Sequence, residues 1–478
     1  MKQQTVIDVW VPDLGFPGVT ERWMRMGSEF ESAHPEYRVN IVKRDFWSFP
    51  AKVAEGAAQG DVPAIAEYYF YVGEAARDAR AQDGTPLFTS LEKAIAGRTE
   101  ILGQPVVTGD LLPAFRDYYT IDGELASMPS VGTTMFLYAN TDLLRAAGVH
   151  EMPQTWDEVT AACAKVALLE DGPEHAITWS NHGLFFQQAI ANQGGTLVDQ
   201  DNGRSGRATT VDLASKEILA WVEWWRGLHR DGHYLYTGVI PDWAGTLRAF
   251  AEQRVAFRIS SSNDVNYMVQ AAENGGFGIE VGRFPYNDHV PYVGNAVAGS
   301  SLWIAEGLDE ATRDGALAFT QFLTTARNAA DRHKENSFVP LTHASYALLE
   351  SEGWFAKYPY HAVASEQVSS YPERVAEARG GELPTVPPVR GALFGNFAGI
   401  QDVMTRAMHD VLAEDADPAE RFAAATVEAQ QLLDAYEADC KDNGPSDPDL
   451  LRVEFFAERA AGRDYTAADM EDVVRLNR

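Results

Sequence analysis

The fold is decided by the stretch MFLYANTDLLRAAGV (Met135–Val149), which is followed by TWDE (Thr155–Glu158). The first four residues are apolar and favour a β-strand. Asn140 can cap the helix that follows, because its side-chain oxygen accepts hydrogen bonds from the first free N–H groups. Gly148 is typical of a helix end, and TWDE has the T-x-x-E pattern of a capping box. The segment therefore predicts a strand, a helix, a loop and a second helix.

The same alternation of strands and helices extends on both sides of this segment. Thr5–Val11 and Tyr37–Lys43 have the pattern of strands, and Val19–Ala33 between them has the pattern of a helix. Ala64–Val72 is apolar enough for a buried strand, and Pro418–Tyr436 predicts a last long helix. Strands that alternate with helices predict α/β lobes with mostly parallel sheets.

Length and composition narrow the class of protein. With 478 residues the chain exceeds one hydrophobic core, so two lobes are expected. The 39 basic and 69 acidic residues give a net charge of −30, which disfavours nucleic acids and anionic membranes as partners. No apolar run is long enough to span a bilayer. The two cysteines, Cys163 and Cys440, lie too far apart in sequence to indicate a disulfide framework or a zinc knuckle.

The N-terminal residues, MKQQTVIDVWVPD, lead almost directly into the first predicted strand. They contain neither the apolar segment nor the cleavage site of a signal peptide. We therefore expect either an extracellular or periplasmic protein whose leader has been trimmed, or a cytoplasmic protein.

Catalytic signatures are absent from the sequence. There is no G-x-S-x-G elbow, no H-E-x-x-H and no P-loop. GGFGIEVG (Gly275–Gly282) misses the dinucleotide fingerprint by one position. DQDNG (Asp199–Gly203) lacks the glycine and glutamate spacing of a calcium loop and is interpreted as a surface turn. We therefore predict no catalytic residue, no cofactor and no metal.

Four further blocks are similar, in sequence and in their order along the chain, to segments of one known family: Phe30–Val42, Gly294–Gly307, Ala316–Tyr346 and Phe394–Met404. Together they resemble the bacterial extracellular solute-binding proteins of carbohydrate type, the capture components of ABC importers. Within that family the chain most resembles the binders of glycerol-3-phosphate and glycerophosphodiesters. The resemblance covers most of the chain up to about Tyr436.

This resemblance implies an α/β periplasmic-binding-protein fold of type II, with two discontinuous lobes, a hinge, and a ligand cleft between the lobes. Lobe 1 would comprise residues 1–132 plus 298–339, and lobe 2 residues 133–297 plus 340–440, followed by a C-terminal tail at 441–478. Binding would close the hinge, because the ligand has greater affinity for the closed state. The closed form would then dock on ABC permease subunits, and we expect a monomer.

Candidate ligand-binding residues follow from the residue types and from the resemblance. Sugar-like ligands need flat aromatic faces and polar groups in a cleft. The SSSND stretch predicts a helix start whose N–H groups and hydroxyls face a ligand. Glycine-rich segments at the crossovers resemble ligand loops of the family, where glycine permits close approach. The candidate residues are Trp47, Tyr69, Tyr71, Thr133, Asn181, His182, Tyr236, Trp243, Ser261, Ser262, Asn263, Gly299, Ser300, Phe338 and Arg390.

Several positions depart from the pattern of glycerol-3-phosphate binders. Ser180 and Gly183 stand where that group has a tryptophan pair, Tyr71 stands where it has an acid, and Phe338 where it has a tyrosine. The nearest arginine to the expected one is Arg390, three residues away. Phosphate recognition needs a guanidinium fork or oriented N–H groups. We therefore expect a carbohydrate, polyol or glycerophosphodiester-like ligand rather than glycerol-3-phosphate itself.

Two alternatives stay open at this point. One is a cytoplasmic enzyme, lyase-like or cyclase-like, on the same scaffold, because a fold alone does not fix function. The other is a sensor subunit that binds a ligand and a receptor kinase.

Overall fold

The computed structural model describes residues 4–13, 18–369 and 390–452. A loop that the sequence predicts at 371–388, and helices that it predicts in the tail beyond residue 452, lie outside these ranges. Of the helices within them, none combines the length and the apolar character that a bilayer span requires.

The strands within the described ranges vary from two to nine residues. In chain order they are β1 (Thr5–Asp13), β2 (Tyr37–Asp45), β3 (Ile65–Tyr69), β4 (Phe88–Thr89), β5 (Glu100–Ile101), β6 (Gln104–Pro105), β7 (Thr120–Ile121), β8 (Glu124–Leu125), β9 (Met128–Thr133), β10 (Met135–Asn140), β11 (Ile177–Thr178), β12 (Phe257–Ser261), β13 (Ile279–Arg283) and β14 (Ala298–Ala305).

The helices alternate with these strands and then dominate the C-terminal part. In chain order they are α1 (Val19–Ala33), α2 (Phe49–Gln59), α3 (Gly73–Asp78), α4 (Leu91–Ile95), α5 (Pro113–Tyr118), α6 (Thr141–Ala146), α7 (Trp156–Val166), α8 (Gly183–Asn192), α9 (Asp199–Gly203, a left-handed turn), α10 (Lys216–Arg230), α11 (Trp243–Ala251), α12 (Val265–Gly275), α13 (Glu310–Leu323), α14 (Ala326–Asn336), α15 (His343–Ser351), α16 (Trp354–Lys357), α17 (Ala362–Ser369), α18 (Phe397–Ala413) and α19 (Pro418–Asn443).

Two main sheets organise these elements. In the first sheet the order is β2-β1-β3-β14-β4, with β9 also paired to β14. The pairs of β1 with β2 and with β3 are parallel, whereas β14 runs antiparallel to β3 and β9. In the second sheet the order is β11-β12-β10-β13, and β10 is antiparallel to both of its neighbours. The expectation of mostly parallel sheets is therefore wrong for both sheets, since only two of the five strand pairings in the first and one of the three in the second are parallel.

The segment Met135–Glu158 forms the strand and the two helix starts that its sequence predicts. Every residue of β10 is buried. The Asn140 side chain accepts hydrogen bonds from the N–H groups of Asp142 and Leu143 at 3.0 and 3.1 Å and so caps α6. Thr155 and Glu158 form the predicted capping box at the start of α7. Thr134 alone separates β9 of the first sheet from β10 of the second, so the chain crosses between the sheets within one residue.

Two local predictions are wrong. The apolar run at 64–72 is a strand only as far as Tyr69, because residues 70–72 turn into a short 3₁₀ helix that leads into α3. The glycine-rich crossover segments are paired strands rather than loops: Gly299 lies opposite Gly132, and Thr133 opposite Ala298. Gly299 has a φ of +141°, and a Cβ there would lie 1.9 Å from the Val131 carbonyl oxygen. Glycine is needed at this point for strand-to-strand approach.

Tryptophan side chains fill the space between the second sheet and α10. Trp179, which follows β11, stacks on Trp224 of α10 at a centroid distance of 5.7 Å. Trp156 of α7 stacks on the other side of Trp224 at 5.2 Å. Trp221 and Trp225 are fully buried in the same cluster. Four of these rings are buried in the core, and the half-buried Trp224 packs against them.

Candidate functional site

Four aromatic residues lie together where β2 and β3 end, and we call them the aromatic face: Phe46, Trp47, Tyr69 and Tyr71. The ring of Phe46 lies 4.6 Å from that of Trp47 and 5.4 Å from that of Tyr69, measured between centroids. Tyr69 and Tyr71 are 6.3 Å apart. Parallel strands present their carboxyl ends at one edge of a sheet, where ligands of α/β proteins bind. The structure thus brings together three of the predicted site residues.

A buried carboxyl group lies directly beneath this face. Glu67 of β3 accepts a hydrogen bond from the Ser300 hydroxyl at 2.6 Å. Burial raises the pKa of Glu67, and the Ser300 hydrogen bond opposes that rise. Ser300, predicted to contact ligand, therefore positions Glu67 from within β14.

A small cavity of about 30 Å³ adjoins Glu67, with Tyr69, Arg332 and Phe338 among its lining residues. This volume holds about two water molecules. Arg332 donates to the backbone oxygen of Ser130 in β9. Burial and the nearby Arg22 together lower the pKa of Arg332 to about 10. The predicted residue Phe338 thus lies beside two charged groups, Glu67 and Arg332, that the sequence analysis did not select.

The N-terminus of α8 carries a second group of predicted residues. Asn181 donates to the Thr405 backbone oxygen of α18 at 2.8 Å. His182 caps α8, since its Nδ1 accepts from the Leu184 N–H at 2.9 Å. Burial lowers the pKa of His182 to about 3, so the ring is neutral at pH 7. A Cβ at Gly183 would lie 2.6 Å from the Gln401 side chain, which shows how closely α8 and α18 approach.

Polar side chains converge where α8 meets α18, and we call Asn181, His182, Gln187 and Gln401 the polar face. Asn181 Oδ1, both amide atoms of Gln187 and Nε2 of Gln401 are buried without a hydrogen-bond partner among the described residues. These three side chains are at most 3% exposed. A buried polar atom without a partner costs about 1–3 kcal/mol. Native proteins therefore keep such atoms mainly where something else satisfies them.

Contacts at the start of α18 and at Gly391, shortly before it, connect the aromatic face with the polar face. The ring of Phe397, at the start of α18, lies 6.3 Å from that of Phe70, the neighbour of Tyr71. A Cβ at Gly391 would lie 2.8 Å from the Tyr118 ring and 3.3 Å from Nε2 of Gln187. Burial raises the pKa of Tyr119, and its hydroxyl is also unpartnered within the described ranges. The aromatic and polar faces thus belong to one region, which tyrosines of α5 and its C-cap complete.

The other predicted residues lie at the edges of this region or outside it. The ring of Trp243 lies 5.2 Å from that of His182, beside the polar face. Tyr236 instead bonds to His409 at 2.5 Å, in the C-terminal half of α18. The Ser262 hydroxyl accepts a hydrogen bond from the Thr134 N–H at 3.1 Å. This contact stabilises the crossover between the two sheets. The Ser261 carbonyl accepts from Tyr138 at 2.7 Å, and Asn263 lies in the short 3₁₀ turn that follows.

Arg390 lies at the end of the gap in the described ranges. Its Nε donates to the Asp117 carbonyl oxygen at 2.8 Å, and Nη2 donates to that of Thr120. The guanidinium therefore supports the end of α5. For every predicted site residue, a role in ligand binding stays a prediction.

Comparison with known proteins identifies the family. Residues 25–363 match the family model described as bacterial extracellular solute-binding protein. This is more than half of the chain, which belongs to that family. The sn-glycerol-3-phosphate-binding periplasmic protein UgpB of Salmonella typhimurium is 24% identical over 424 residues, which cover 86% of this chain and 89% of that protein. UgpB of Yersinia enterocolitica is 25% identical over 421 residues, with the same coverage.

Solved structures show the same fold. The sugar-binding protein MalE from Xanthomonas citri superposes with a TM-score of 0.67 at 16% identity and covers 92% of this chain and 100% of its own. UgpB from Mycobacterium tuberculosis in complex with glycerophosphocholine gives 0.64 at 18% identity, with coverage of 90% and 99%. The type II fold and the function as a substrate-binding protein of an ABC importer are thus confirmed. The family consists of binding proteins rather than enzymes.

Proposed function

We propose that the protein captures a neutral carbohydrate or polyol between its aromatic and polar faces. The observation that carries this proposal is the set of buried amide atoms on Asn181, Gln187 and Gln401 that have no hydrogen-bond partner in the part of the chain that the structure describes. Ligand hydroxyls both donate and accept, so they match amide groups. The apolar C–H patches of a sugar ring match the aromatic rings of Trp47 and Tyr69 on the other side.

Charge supports a neutral ligand over a phosphate ester. Phosphate groups are bound by guanidinium forks. Arg390 and Arg204 both direct N–H groups at backbone carbonyl oxygens, Arg204 at those of Gly391 and Tyr118. The relatives point both ways, since some are named for glycerol-3-phosphate and others for sugars. A glycerophosphodiester is therefore the second ligand class to test.

The mechanism we propose is hinge closure. The lobes would correspond to residues 1–132 plus 298–339 and 133–297 plus 340–440, so that each main sheet lies in one lobe. A ligand that contacts both faces stabilises the closed state by its difference in affinity for the two states. The closed monomer would then deliver the ligand to the permease outside the cytoplasm.

Thermal-shift screening tests the ligand class. Sugars, polyols, glycerophosphodiesters and glycerol-3-phosphate are added separately at 1,000 times a micromolar Kd, where mass action stabilises the native state by about 4 kcal/mol. We expect the largest rise in Tm with a neutral saccharide or polyol. A rise with glycerol-3-phosphate alone would reject a neutral ligand. Chemical conversion of the bound compound, followed by mass spectrometry, would instead support the enzyme alternative.

A further inference from the structure

A cluster of four charged side chains lies away from the ligand faces, and we call it the latch: Glu74, Asp78, Arg207 and Glu437. Arg207 donates to both carboxyl oxygens of Asp78, at 2.7 and 3.0 Å. It also donates to both oxygens of Glu437, at 2.7 and 2.8 Å. Glu74 lies 3.4 Å from the same guanidinium. Arginine forks paired with two carboxylates are among the stronger polar contacts in proteins.

The latch joins elements that belong to different sheets. Glu74 and Asp78 lie on α3, which follows β3 of the first sheet. Arg207 precedes α10, whose tryptophans pack on the second sheet. Two hydrogen bonds fix the segment after Arg207 to α19: Val211 N–H to Gln430 at 3.1 Å and Leu213 N–H to Thr426 at 3.0 Å. Arg207 and Glu437 are therefore held on the side of the second sheet.

The end of α19 adds an apolar contact to these charges. Tyr436 and Leu451 pack with Ala75 of α3 in a small buried cluster. The Tyr436 hydroxyl donates to Asp78 at 3.1 Å. Gly444 has a φ of +77°, and a Cβ there would lie 2.6 Å from the Asp78 carbonyl oxygen. Glycine thus lets the chain turn back against α3 directly after α19.

Because the latch is partly buried, removing one of its charged partners while the others stay in place is energetically costly. The side chains of Glu74 and Asp78 are only 4% and 6% exposed, whereas that of Arg207 is 36% exposed. Burial and the neighbouring Asp78 raise the pKa of Glu74 to about 7, against the opposing effect of Arg77 and Arg207. Removing one partner of a buried ion pair leaves an uncompensated charge.

We propose that the latch holds the two lobes together, so that opening of the ligand cleft requires Arg207 to separate from Asp78. The C-terminal segment at 436–451 then acts as a strap from the second lobe onto α2 and α3 of the first. This inference rests on the hinge closure of the proposed function, but not on which solute binds.

Cys440 provides a reporter at the latch. Its Sγ lies 3.7 Å from Asp78 Oδ2, and the residue is partly buried. Cys163, in α7, is fully buried. The experiment measures the rate of N-ethylmaleimide modification at each cysteine by peptide mass spectrometry, together with the radius of gyration from small-angle X-ray scattering. Wild type is compared with Arg207→Ala and with the shape-conserving Asp78→Asn.

A matched control is Arg226→Ala, which removes a 2.8 Å arginine–aspartate ion pair to Asp415 that does not involve α3. We expect N-ethylmaleimide to modify Cys440 at least tenfold faster in both latch variants than in this control. Both latch variants should also have a larger radius of gyration than the control. Cys163 stays unreactive in all of them. Equal rates in latch and control variants overturn the proposal, and so does faster Cys440 modification at unchanged radius. Exposure of Cys163 in both latch variants, which marks global unfolding, also counts against it.

Discussion

The aromatic face and the polar face differ in the elements that carry them. The aromatic face is built from strand ends and the loop after β2, and its members contact one another at 4.6 to 6.3 Å. The polar face is built from two helices, α8 and α18, that are distant in the chain. Four of its amide atoms, Oδ1 of Asn181, both of Gln187 and Nε2 of Gln401, are buried without partners among the residues described. The aromatic face therefore consists of rings that contact one another, whereas we propose that a bound ligand completes the polar face.

The difference teaches where binding energy and specificity come from. In the proposed site, stacking on Trp47 and Tyr69 would require only a flat apolar patch and so would supply affinity for many sugars. The amides of Gln187 and Gln401 would require hydroxyls at fixed positions and so would select among sugars.

Replacing Trp47 by alanine should weaken binding of the best-stabilising saccharide about 100-fold, or about 2.7 kcal/mol. The reason is the loss of the largest flat surface on the aromatic face. Trp243→Ala, beside the polar face, should weaken binding about tenfold. Isothermal titration calorimetry measures both. As a control, Trp354→Ala removes a ring of α16 that lies 4.3 Å from the ring of Tyr358 and should leave affinity unchanged. Equal affinity for wild type and Trp47→Ala would remove the aromatic face from the site.

Acid should lower the free energy of unfolding of the protein, because His182 is protonated in the unfolded state but not in the folded state. Burial holds the His182 pKa at about 3, while the unfolded chain has the ordinary value near 6.5. As pH falls below 6.5 the unfolded state binds a proton that the folded state does not, so stability is lost. At pH 5 the loss from His182 is about 2 kcal/mol.

Urea unfolding of wild type and His182→Asn at pH 7 and pH 5 measures this loss. Asparagine keeps the N-cap, so the variant isolates the titration. His333 and His361, whose pKa values burial also lowers, and Glu67, whose pKa is raised, titrate equally in both proteins. An identical drop in the free energy of unfolding for both would show that His182 is not the titrating group.

Gln187→Leu should weaken binding about tenfold, the value of one or two neutral hydrogen bonds. It should also leave the free energy of unfolding unchanged or higher, because it removes a buried amide that has no partner within the described ranges. Gln188→Leu is the matched control at the next position. Gln188 donates to the Ala296 carbonyl oxygen at 2.7 Å, so its loss should lower stability while affinity is kept. The opposite assignment of the two effects would contradict the proposed polar face.

Much of the fold could be predicted because local signals agreed with tertiary packing. The helix at Val19–Ala33 has the predicted bounds, and the caps at Asn140 and Thr155 form as the sequence indicates. The turn at 70–72 was missed because its residues are as apolar as the strand before it. Hydrophobic residues indicate that a segment is buried, but they do not indicate where a strand ends and the chain turns away from the sheet.

The site was predicted in part for a similar reason. Trp47, Tyr69 and Tyr71 could be selected because they are aromatic residues at or near the ends of predicted strands. Gln187 and Gln401 carry no such signal, since glutamine in a helix is mostly exposed and these become buried only when α18 packs on α8. Glu67 had a usable signal, because it is a lone carboxyl group inside an apolar strand.

The stacked indoles beneath the second sheet also have a spectroscopic consequence. Trp156, Trp179, Trp221, Trp224 and Trp225 are five of the eleven tryptophans, so the intrinsic emission of the chain is weighted toward one half of the molecule. Far-ultraviolet circular dichroism reports on helices in both halves. Denaturation curves from the two signals coincide if the halves unfold together and separate if they do not.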